Sequence, residues 1–169
     1  MSNKAIKGSF RIIGGKYKGR KFEFIPSDDL RPTPDRLRET LFNWLGQILG
    51  NKNCLDLFAG TGSLGLESLS RGADKVTFVE KNSYHLNKIK KYIGSLNADE
   101  DVFIIKGDVL TWLDETTQDF DLIFVDPPFY RQLAEKVLLK IKTNALLSNF
   151  GKVYLEVEKE LDLNFLVKG

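Results

Sequence analysis

The chain has 169 residues, of which 42% are hydrophobic and 28% are charged, a composition typical of one soluble globular domain with a sizeable core. No apolar run approaches about 18 residues, which excludes a membrane-spanning helix, and the N-terminus lacks the apolar stretch of a secretory signal. The single cysteine, Cys54, lies in an apolar run and is expected to be a reduced core residue. We therefore expect a cytoplasmic protein that does not associate with membranes, and we take it to be a monomer.

The net charge of +2 is distributed unevenly along the chain. Residues 1–22 contain seven basic residues and no acidic residue, whereas the other 147 residues carry 18 basic and 23 acidic residues. A basic arm on a slightly acidic body is typical of proteins that bind a phosphate backbone, although short basic tails also occur in proteins that bind no nucleic acid. We expect the arm to contact nucleic acid through Arg11, Lys16, Lys18 and Arg20.

The N-terminal residues predict a β-hairpin arm. Residues 9–13 and 20–24 read as short strands, and Gly14, Gly15 and Gly19 between them favour a turn. We take residues 1–30 as the basic arm and residues 31–169 as the main domain.

A helix is predicted after the arm. Thr33 before Pro34 is typical of an N-cap followed by proline at the first helical position. The apolar residues that follow recur at helical spacing and predict an amphipathic helix of about four turns; they are Leu37, Leu41, Trp44, Leu45 and Ile48. Arg36 and Arg38 are expected to be solvated helix positions, and the alternative is that they contact RNA.

From residue 53 onward, predicted strands alternate with predicted helices. Strands are expected at residues 53–58, 75–80, 102–106, 120–125 and 152–157, and helices at 63–71, 83–96, 109–115 and 131–144. In the second of these helices, Ile89, Tyr92, Ile93 and Leu96 lie on one face. The alternation predicts an α/β fold with a doubly wound parallel sheet, which binds ligands beyond the carboxyl ends of its strands.

A glycine loop follows the first strand of this alternation. Gly60, Gly62 and Gly65 have the spacing that lets a backbone approach a nucleotide cofactor closely. Glu80 lies 20 positions after Gly60 at the end of the next strand, where a carboxylate can accept hydrogen bonds from ribose hydroxyls. The alternative for Glu80 is a solvated strand end. A nicotinamide dinucleotide and S-adenosylmethionine both contain this ribose, so the loop alone leaves both open.

Two further carboxylates favour a cationic cofactor without phosphates. Asp56 lies within the strand before the loop, where it could meet a cationic amino group but would repel a pyrophosphate. Asp108 follows the third strand, where it could accept a hydrogen bond from an adenine amino group. Asp108 can also be the N-cap of the helix at 109–115, and the two roles can coexist.

Asp126-Pro127-Pro128-Phe129 follows a buried-strand run and suits methylation of a planar amine. The two prolines stiffen the backbone and donate no N–H group. Asp126 and the carbonyl of Pro127 could each accept one N–H of an exocyclic amine and orient its lone pair, and Phe129 could stack on the target base. The alternative is a strand-terminating turn without chemistry, since Asp and Pro are ordinary turn residues.

With these motifs the chain resembles the class I S-adenosylmethionine-dependent methyltransferases, and more closely the bacterial 16S rRNA (guanine(966)-N(2))-methyltransferase family. The matching segments are FRIIGGKYKG at 10–19, RPTPDRLRETLFNWL at 31–45, CLDLFAGTGSLGLESLSRG at 54–72 and FDLIFVDPPF at 120–129, together with residues 79–82 and 107–109. The resemblance implies a Rossmann-like sheet with an N-terminal hairpin extension. It also implies methyl transfer from S-adenosylmethionine to guanine N2 in 16S ribosomal RNA or the assembling small subunit.

The resemblance implies three groups of site residues and no metal. The cofactor would bind at Asp56, Phe58, Ala59, Gly60, Thr61, Gly62, Glu80, Lys81, Asp108 and Val109. Catalysis is implied for Asp126, Pro127, Pro128 and Phe129, and RNA contacts for the basic hairpin. Arg31 and Thr33 are implied to lie near the bound cofactor and the target base.

The C-terminus departs from the resemblance. Family members usually continue past the last strand into a further hairpin strand, whereas this sequence ends at Gly169. We expect that strand to be missing, either because the protein is natively short or because the sequence is clipped, and an unpaired apolar edge at 163–167 would favour aggregation.

Three rival functions stay open from the residues alone. They are another nucleic-acid amino-methyltransferase, such as one acting on adenine N6, a NAD-dependent oxidoreductase, and a catalytically silent RNA-binding module. The physical reading does not separate the target bases, and only the resemblance favours guanine.

Overall fold

The computed structural model describes residues 6–28, 30–128, 131–157 and 164. An N-terminal hairpin and a helix come first: β1 (Gly8–Arg11), β2 (Lys21–Phe24) and α1 (Asp35–Leu45). Strands and helices then alternate: β3 (Asn53–Leu57), α2 (Ser63–Ser70), β4 (Lys75–Glu80), α3 (Ser83–Leu96), β5 (Val102–Lys106), α4 (Val109–Glu115), β6 (Phe120–Val125), α5 (Arg131–Thr143) and β7 (Leu147–Leu155). The predicted alternation is confirmed.

The five later strands form one parallel sheet in the order β5-β4-β3-β6-β7, and β1 and β2 form a separate antiparallel pair. Parallel neighbours require crossover helices, which cover both faces of such a sheet. The predicted doubly wound α/β fold with a hairpin extension is therefore confirmed. None of the described helices is long and apolar enough to cross a membrane.

The core has two layers, one on each face of the sheet. Along β3 the side chains alternate, so that Cys54 belongs to one apolar cluster and Leu55 and Leu57 belong to the other. Cys54 is fully buried, and burial raises the pKa of its thiol to about 12. The predicted apolar face of α3 is confirmed, because Ile89, Tyr92, Ile93 and Leu96 are all buried.

The hairpin packs on α2 and α3. Tyr92 of α3 contacts the rings of Phe10 and Phe22, with centroid distances of 5.9 and 4.6 Å, and its hydroxyl donates to the carbonyl of Glu23 at 2.6 Å. The hairpin turn contacts the C-terminal end of α2. Gly15 has a φ of +78°, and a Cβ added there would lie 1.9 Å from the carbonyl oxygen of Ser70. Only glycine allows this contact.

Arg38 is fully buried, so the prediction that it is solvated is wrong, whereas Arg36 is exposed as expected. Arg38 Nη1 lies 3.1 Å from Glu67 Oε2, and Arg71 Nε lies 2.9 Å from Glu67 Oε1. Glu67 also accepts hydrogen bonds from two backbone N–H groups of the hairpin, those of Ile13 and Gly14, both at 2.9 Å. A single buried carboxylate thus joins the hairpin to α1 and α2.

Two other predictions about α1 need correction. Its N-cap is Pro34, without a side-chain capping bond, so Thr33 is not the cap. The helix ends at Leu45, because Gly46 has a φ of 98°. Its buried residues are Arg38, Leu41 and Phe42, whereas Trp44 and Ile48 are 78% and 84% exposed.

The last strand begins earlier and ends earlier than expected, at Leu147–Leu155. Its pairing with β6 shifts register between Phe120 and Leu122, and Phe150 has a φ of 65°. Such an irregularity breaks the alternation of side chains from which strands are predicted. The apolar edge predicted at 163–167 lies outside the described residues.

Candidate active site

The glycine loop and the Asp-Pro-Pro motif begin side by side. β3 and β6 are adjacent and parallel, and Leu57 pairs with Val125. Phe58 and Asp126 are the next residues of the two strands, so both segments leave the carboxyl edge of the sheet at the same level. Glu80 ends β4 on the other side of β3. The fold therefore brings the predicted cofactor and catalytic segments to one edge.

The glycine loop has a backbone that few side chains permit. Gly60 and Gly62 have φ values of 57° and 77°, and Phe58 has a φ of 57°, which is uncommon for a bulky residue. Such backbone strain clusters at functional sites. A Cβ added to Gly65 would lie 2.3 Å from the Phe78 ring, so glycine allows α2 to pack closely on the sheet.

Glu80 organises the glycine loop from the neighbouring strand. Its Oε2 accepts a hydrogen bond from the Gly60 N–H at 2.8 Å, and its Oε1 accepts one from the Asn82 N–H at 2.9 Å. Glu80 is only 8% exposed, so the alternative of a solvated strand end is wrong. A carboxylate has about four acceptor positions, so two remain for ligand hydroxyl groups.

Asp56 lies beneath the loop. Its Oδ2 accepts a hydrogen bond from the Gly65 N–H at 3.0 Å near the start of α2, and the residue is 3% exposed. Burial raises the pKa of Asp56 well above its ordinary value, and the charges of Asp126 and Glu80 add to this rise. In this structure Asp56 supports the loop, and its direct contact with a cationic amino group stays a prediction.

Asp108 caps α4, as one of its two predicted roles requires. Its Oδ1 accepts a hydrogen bond from the Thr111 N–H at 3.1 Å, and the residue is exposed after β5. Among the other predicted cofactor residues, Ala59, Thr61 and Val109 are buried, and Lys81 is exposed.

Asp126 is a carboxylate with an unusual environment. Burial raises its pKa to about 7, and the charge of Glu156 adds to this rise. Pro127 is half-buried and Pro128 is exposed, whereas Phe129 lies outside the described residues. A carboxylate that titrates near neutral pH is suited to accepting a proton during catalysis.

Glu156 is a residue that the sequence analysis missed. Its N–H donates to the Val125 carbonyl at 3.0 Å, so it follows β7 at the level where Asp126 follows β6. The hydroxyl of Tyr154 lies 3.5 Å from Glu156 Oε2. The strand predicted at 152–157 put Glu156 in the interior of that strand. In the structure β7 ends at Leu155, which pairs with Val125, so Glu156 lies just beyond the strand at the edge of the sheet.

The predicted RNA-binding residues do not all lie near this edge. The N–H of Lys16 donates to Ser70 at the end of α2, and Arg20 donates to the Ser95 carbonyl near the end of α3. Both helices begin at the carboxyl edge of the sheet, so the hairpin turn, which includes Lys18, lies at the opposite edge. Nearer α1, Arg11 pairs with Asp35 at 3.2 Å. Arg31 is exposed, and Thr33 is buried.

Residues 10–167 match the protein family described as "Conserved hypothetical protein 95". The chain belongs to this family. It is 42% identical to Ribosomal RNA small subunit methyltransferase D of Haemophilus influenzae, over 93% of this chain and 83% of the relative. The protein of the same description from Escherichia coli is 39% identical, over 94% of this chain and 79% of the relative.

Solved structures agree with this family membership. A chain from Escherichia coli is 36% identical with a TM-score of 0.79, covering 88% of this chain and 80% of that one. A chain from Thermus thermophilus is 29% identical with a TM-score of 0.79, covering 91% and 89%. The C-terminal domain of precorrin-6Y C5,15-methyltransferase from Rhodobacter capsulatus, at 15% identity and a TM-score of 0.59, shares the fold alone, over 73% of this chain and 62% of that one.

Proposed function

We propose that this family member transfers a methyl group from S-adenosylmethionine to the exocyclic N2 of a guanine in 16S ribosomal RNA of the small subunit. The observation that carries the proposal is the pairing of Leu57 with Val125, which starts the glycine loop and the Asp126 motif at one level of the sheet edge. Relatives described as ribosomal RNA small subunit methyltransferases support the RNA as substrate.

The side chains at this edge suit a cofactor that is cationic and has no phosphate groups. Asp56, Glu80, Asp126 and Glu156 lie at or under the edge, and burial is the main cause of the raised pKa of both Asp56 and Asp126. A positive ligand charge would stabilise their ionised forms, whereas a pyrophosphate would be repelled. S-adenosylmethionine fits this requirement better than a nicotinamide dinucleotide does.

The residues that would hold the cofactor are those of the loop and of the two adjacent strand ends. The loop backbone at 58–62 would face it, Glu80 would accept hydrogen bonds from the ribose hydroxyls, and Asp108 would accept one from the adenine amino group. When bound, S-adenosylmethionine would supply an electrophilic methyl group on a positively charged sulfur, and the sulfur would leave as a neutral thioether when an amine nitrogen attacks the methyl carbon.

The chain's own task is to orient the amine and to receive its proton. The lone pair of an exocyclic amine is delocalised into the base, so the nitrogen is a poor nucleophile. Asp126 and the carbonyl of Pro127 would each accept a hydrogen bond from one of its two N–H groups and turn the lone pair out of the base plane. The nitrogen gains positive charge as its bond to the methyl carbon forms. Asp126 stabilises that charge and accepts the released proton.

The proposal is tested with labelled S-adenosylmethionine and small subunits that lack the modification. We expect label in 16S ribosomal RNA, at N2 of one guanine, when the modified nucleotide is mapped. Label at adenine N6 would favour the rival amino-methyltransferase. Binding of NAD without binding of S-adenosylmethionine, measured by titration calorimetry, would overturn the assignment, and RNA binding without cofactor binding would indicate a silent module.

The contribution of the arm is tested separately. Neutralising Arg11, Lys16, Lys18 and Arg20 together should weaken RNA binding and flatten its dependence on salt, because fewer counterions are released. The affinity for S-adenosylmethionine should stay unchanged. If the salt dependence equals that of the wild type, the RNA is bound elsewhere.

A further inference from the structure

Helix α3 has an unusual charge pattern. It contains Lys88, Lys90 and Lys91 and no acidic residue, and the acid-free stretch extends from Lys81 to Ala98. Every other α-helix named above, within the described part of the chain, has at least one acidic side chain. Residues 1–22 form a second basic stretch without acids, and residues 136–155, from α5 to β7, form a third.

The fold places the basic stretch at 1–22 next to α3. Arg20 of the hairpin donates from Nη2 to the carbonyl of Ser95 at 3.1 Å, and Tyr92 packs against the hairpin rings. Sequence separation alone would not predict this contact, because Arg20 and Ser95 are 75 positions apart. The basic residues of the hairpin and of α3 therefore lie on adjoining surfaces, and the exposed acid of the hairpin strand, Glu23, pairs with Lys7 at 3.1 Å.

A row of side chains runs along α3 on the hairpin side. Tyr84, Lys88, Lys91 and Ser95 follow at spacings of four, three and four residues, which places them on one face. Tyr84 is 44% exposed, and Lys88 Nζ lies 5.9 Å from the centre of its ring. Lys91 is exposed, and neither lysine forms an ion pair within the described part of the chain. This row is called the α3 row.

The α3 row connects the two ends of the molecule that the proposed reaction needs. α3 begins three residues after Glu80, which holds the glycine loop, and its 14 residues span about 20 Å. The row ends at Ser95, where Arg20 and the hairpin turn lie. RNA that contacts both the turn and the carboxyl edge has to cross the molecule.

The opposite flank of the hairpin is a poorer path for RNA. α1 carries Asp35 and Glu39, and Asp35 already pairs with Arg11 of the hairpin. Phosphates on that flank would meet a helix whose two acidic and two basic residues cancel in charge, whereas α3 carries three lysines and no acid. On the α3 flank they would meet lysines and an exposed aromatic ring, the combination that binds single-stranded nucleic acid, and the exposed acidic residues 99–101 lie beyond the end of α3.

We propose that the α3 row is an RNA-binding surface, on which a strand of the substrate RNA runs from the hairpin turn towards the carboxyl edge. Lys88 and Lys91 contact phosphates, and Tyr84 offers its ring to an unpaired base. This inference rests on the proposed function, because it assigns a binding path to the RNA of that reaction.

The test compares two double variants. Lys88→Gln with Lys91→Gln removes both charges of the α3 row. Lys75→Gln with Lys136→Gln is the matched control, since both lysines are exposed and lie at the start of β4 and on α5. Substrate RNA binding is measured between about 0.05 and 1 M salt, and methyl transfer is measured on the same RNA and on small subunits.

Two lost phosphate contacts should reduce the slope of log affinity against log salt by about 1.4–1.8. At about 0.15 M salt this corresponds to about 14–30-fold weaker binding, and the difference should vanish near 1 M. The KM for RNA should rise while turnover at saturating RNA and the affinity for S-adenosylmethionine stay unchanged. The control should behave as the wild type.

The outcomes separate this inference from the proposed function. If the wild type methylates small-subunit RNA and the α3 variant binds it like the control, the inference alone is wrong. If the variant binds protein-free RNA normally but assembled subunits weakly, the surface contacts a ribosomal protein, and the inference is wrong as well. If the wild type transfers no methyl group to small-subunit RNA, both fail.

Discussion

Replacing Asp126 by Asn should make the protein more stable above neutral pH. Burial raises the pKa of Asp126 from 3.8 to about 7, and the charge of Glu156 adds to this rise. Between these values the folded protein holds a proton that the unfolded chain has released, so this residue lowers stability as the pH rises through that range. Asparagine is neutral at every pH and has nearly the shape of the protonated acid.

The size of the effect follows from the pKa values. Each tenfold change in proton affinity corresponds to about 1.4 kcal/mol. The rise of the pKa from 3.8 to about 7 therefore limits the gain in the free energy of unfolding from Asp126→Asn to about 4 kcal/mol at pH 8. Hydration of the partly exposed carboxylate reduces this, and we expect a gain of about 1–3 kcal/mol. This gain in stability falls towards zero as the pH drops below 3.8, because Asp126 of the wild type is then protonated in the folded and the unfolded state alike.

The assay is urea unfolding followed by circular dichroism from about pH 4 to pH 8. Asp99→Asn is the control, because Asp99 is exposed, and it should change the free energy of unfolding by less than about 0.5 kcal/mol. If the curves of Asp126→Asn and the wild type run parallel across the pH range, Asp126 is well hydrated, and the proposed proton acceptor is not tuned by burial.

Activity should change in the opposite direction. Asp126→Ala removes the acceptor and should lower turnover by about 10²–10³-fold, with the affinity for S-adenosylmethionine within about threefold of the wild type. Asparagine keeps one acceptor oxygen. If it retains much activity where alanine does not, Asp126 orients the amine and need not take its proton. Wild-type turnover of the alanine variant at saturating RNA would refute the mechanism.

Three further predictions concern other carboxylates of the chain. Glu156→Gln removes the charge that adds to the raised pKa of Asp126, so the acid limb of turnover against pH should move to lower pH, whereas Glu156→Asp should leave it nearly in place. Glu80→Ala should weaken S-adenosylmethionine binding by about 1.5–3 kcal/mol in titration calorimetry, and an unchanged affinity would remove Glu80 from the site. Glu67→Gln leaves the buried charge of Arg38 poorly compensated, so it should lower the free energy of unfolding by about 3–5 kcal/mol in urea unfolding. A loss below about 1 kcal/mol would contradict the buried pairing.

Most of the fold could be predicted from the sequence, because its elements have strong local patterns. The strands at 75–80, 102–106 and 120–125 and the helices at 83–96 and 109–115 have the predicted bounds. Errors occurred where tertiary contacts override the local pattern. Arg38 is buried because Glu67, 29 positions away, accepts its hydrogen bond, and no periodicity in α1 indicates this partner.

The candidate site was predictable where a motif marks a strand end, and less so where a role depends on register. Glycine spacing and the position of Glu80 predicted the loop and the carboxylate beside it. The hydrogen bond from Gly60 to Glu80, and the position of Glu156, depend on how parallel strands align. A sequence without pairing information does not fix that alignment.

The two groups of buried or half-buried charges in this chain differ in how they are neutralised. Around Glu67, Arg38 and Arg71 supply the opposite charges at 3.1 and 2.9 Å, and Asp35 pairs with Arg38 in turn. That cluster is internally balanced and joins the hairpin to the domain, so its burial has a structural reason.

The carboxyl edge has no such balance. Asp56, Asp126 and Glu156 have no ion-pair partner among the described residues, and Glu80 has only His85, whose Nδ1 lies 3.9 Å away. Unpaired buried carboxylates lower stability unless they are protonated or meet a cation. In a fold that gathers ionised carboxylates at the ends of neighbouring strands, a positively charged ligand that binds there restores this stability. The imbalance of charge, more than the glycine spacing, therefore favours the proposed sulfonium cofactor over a dinucleotide.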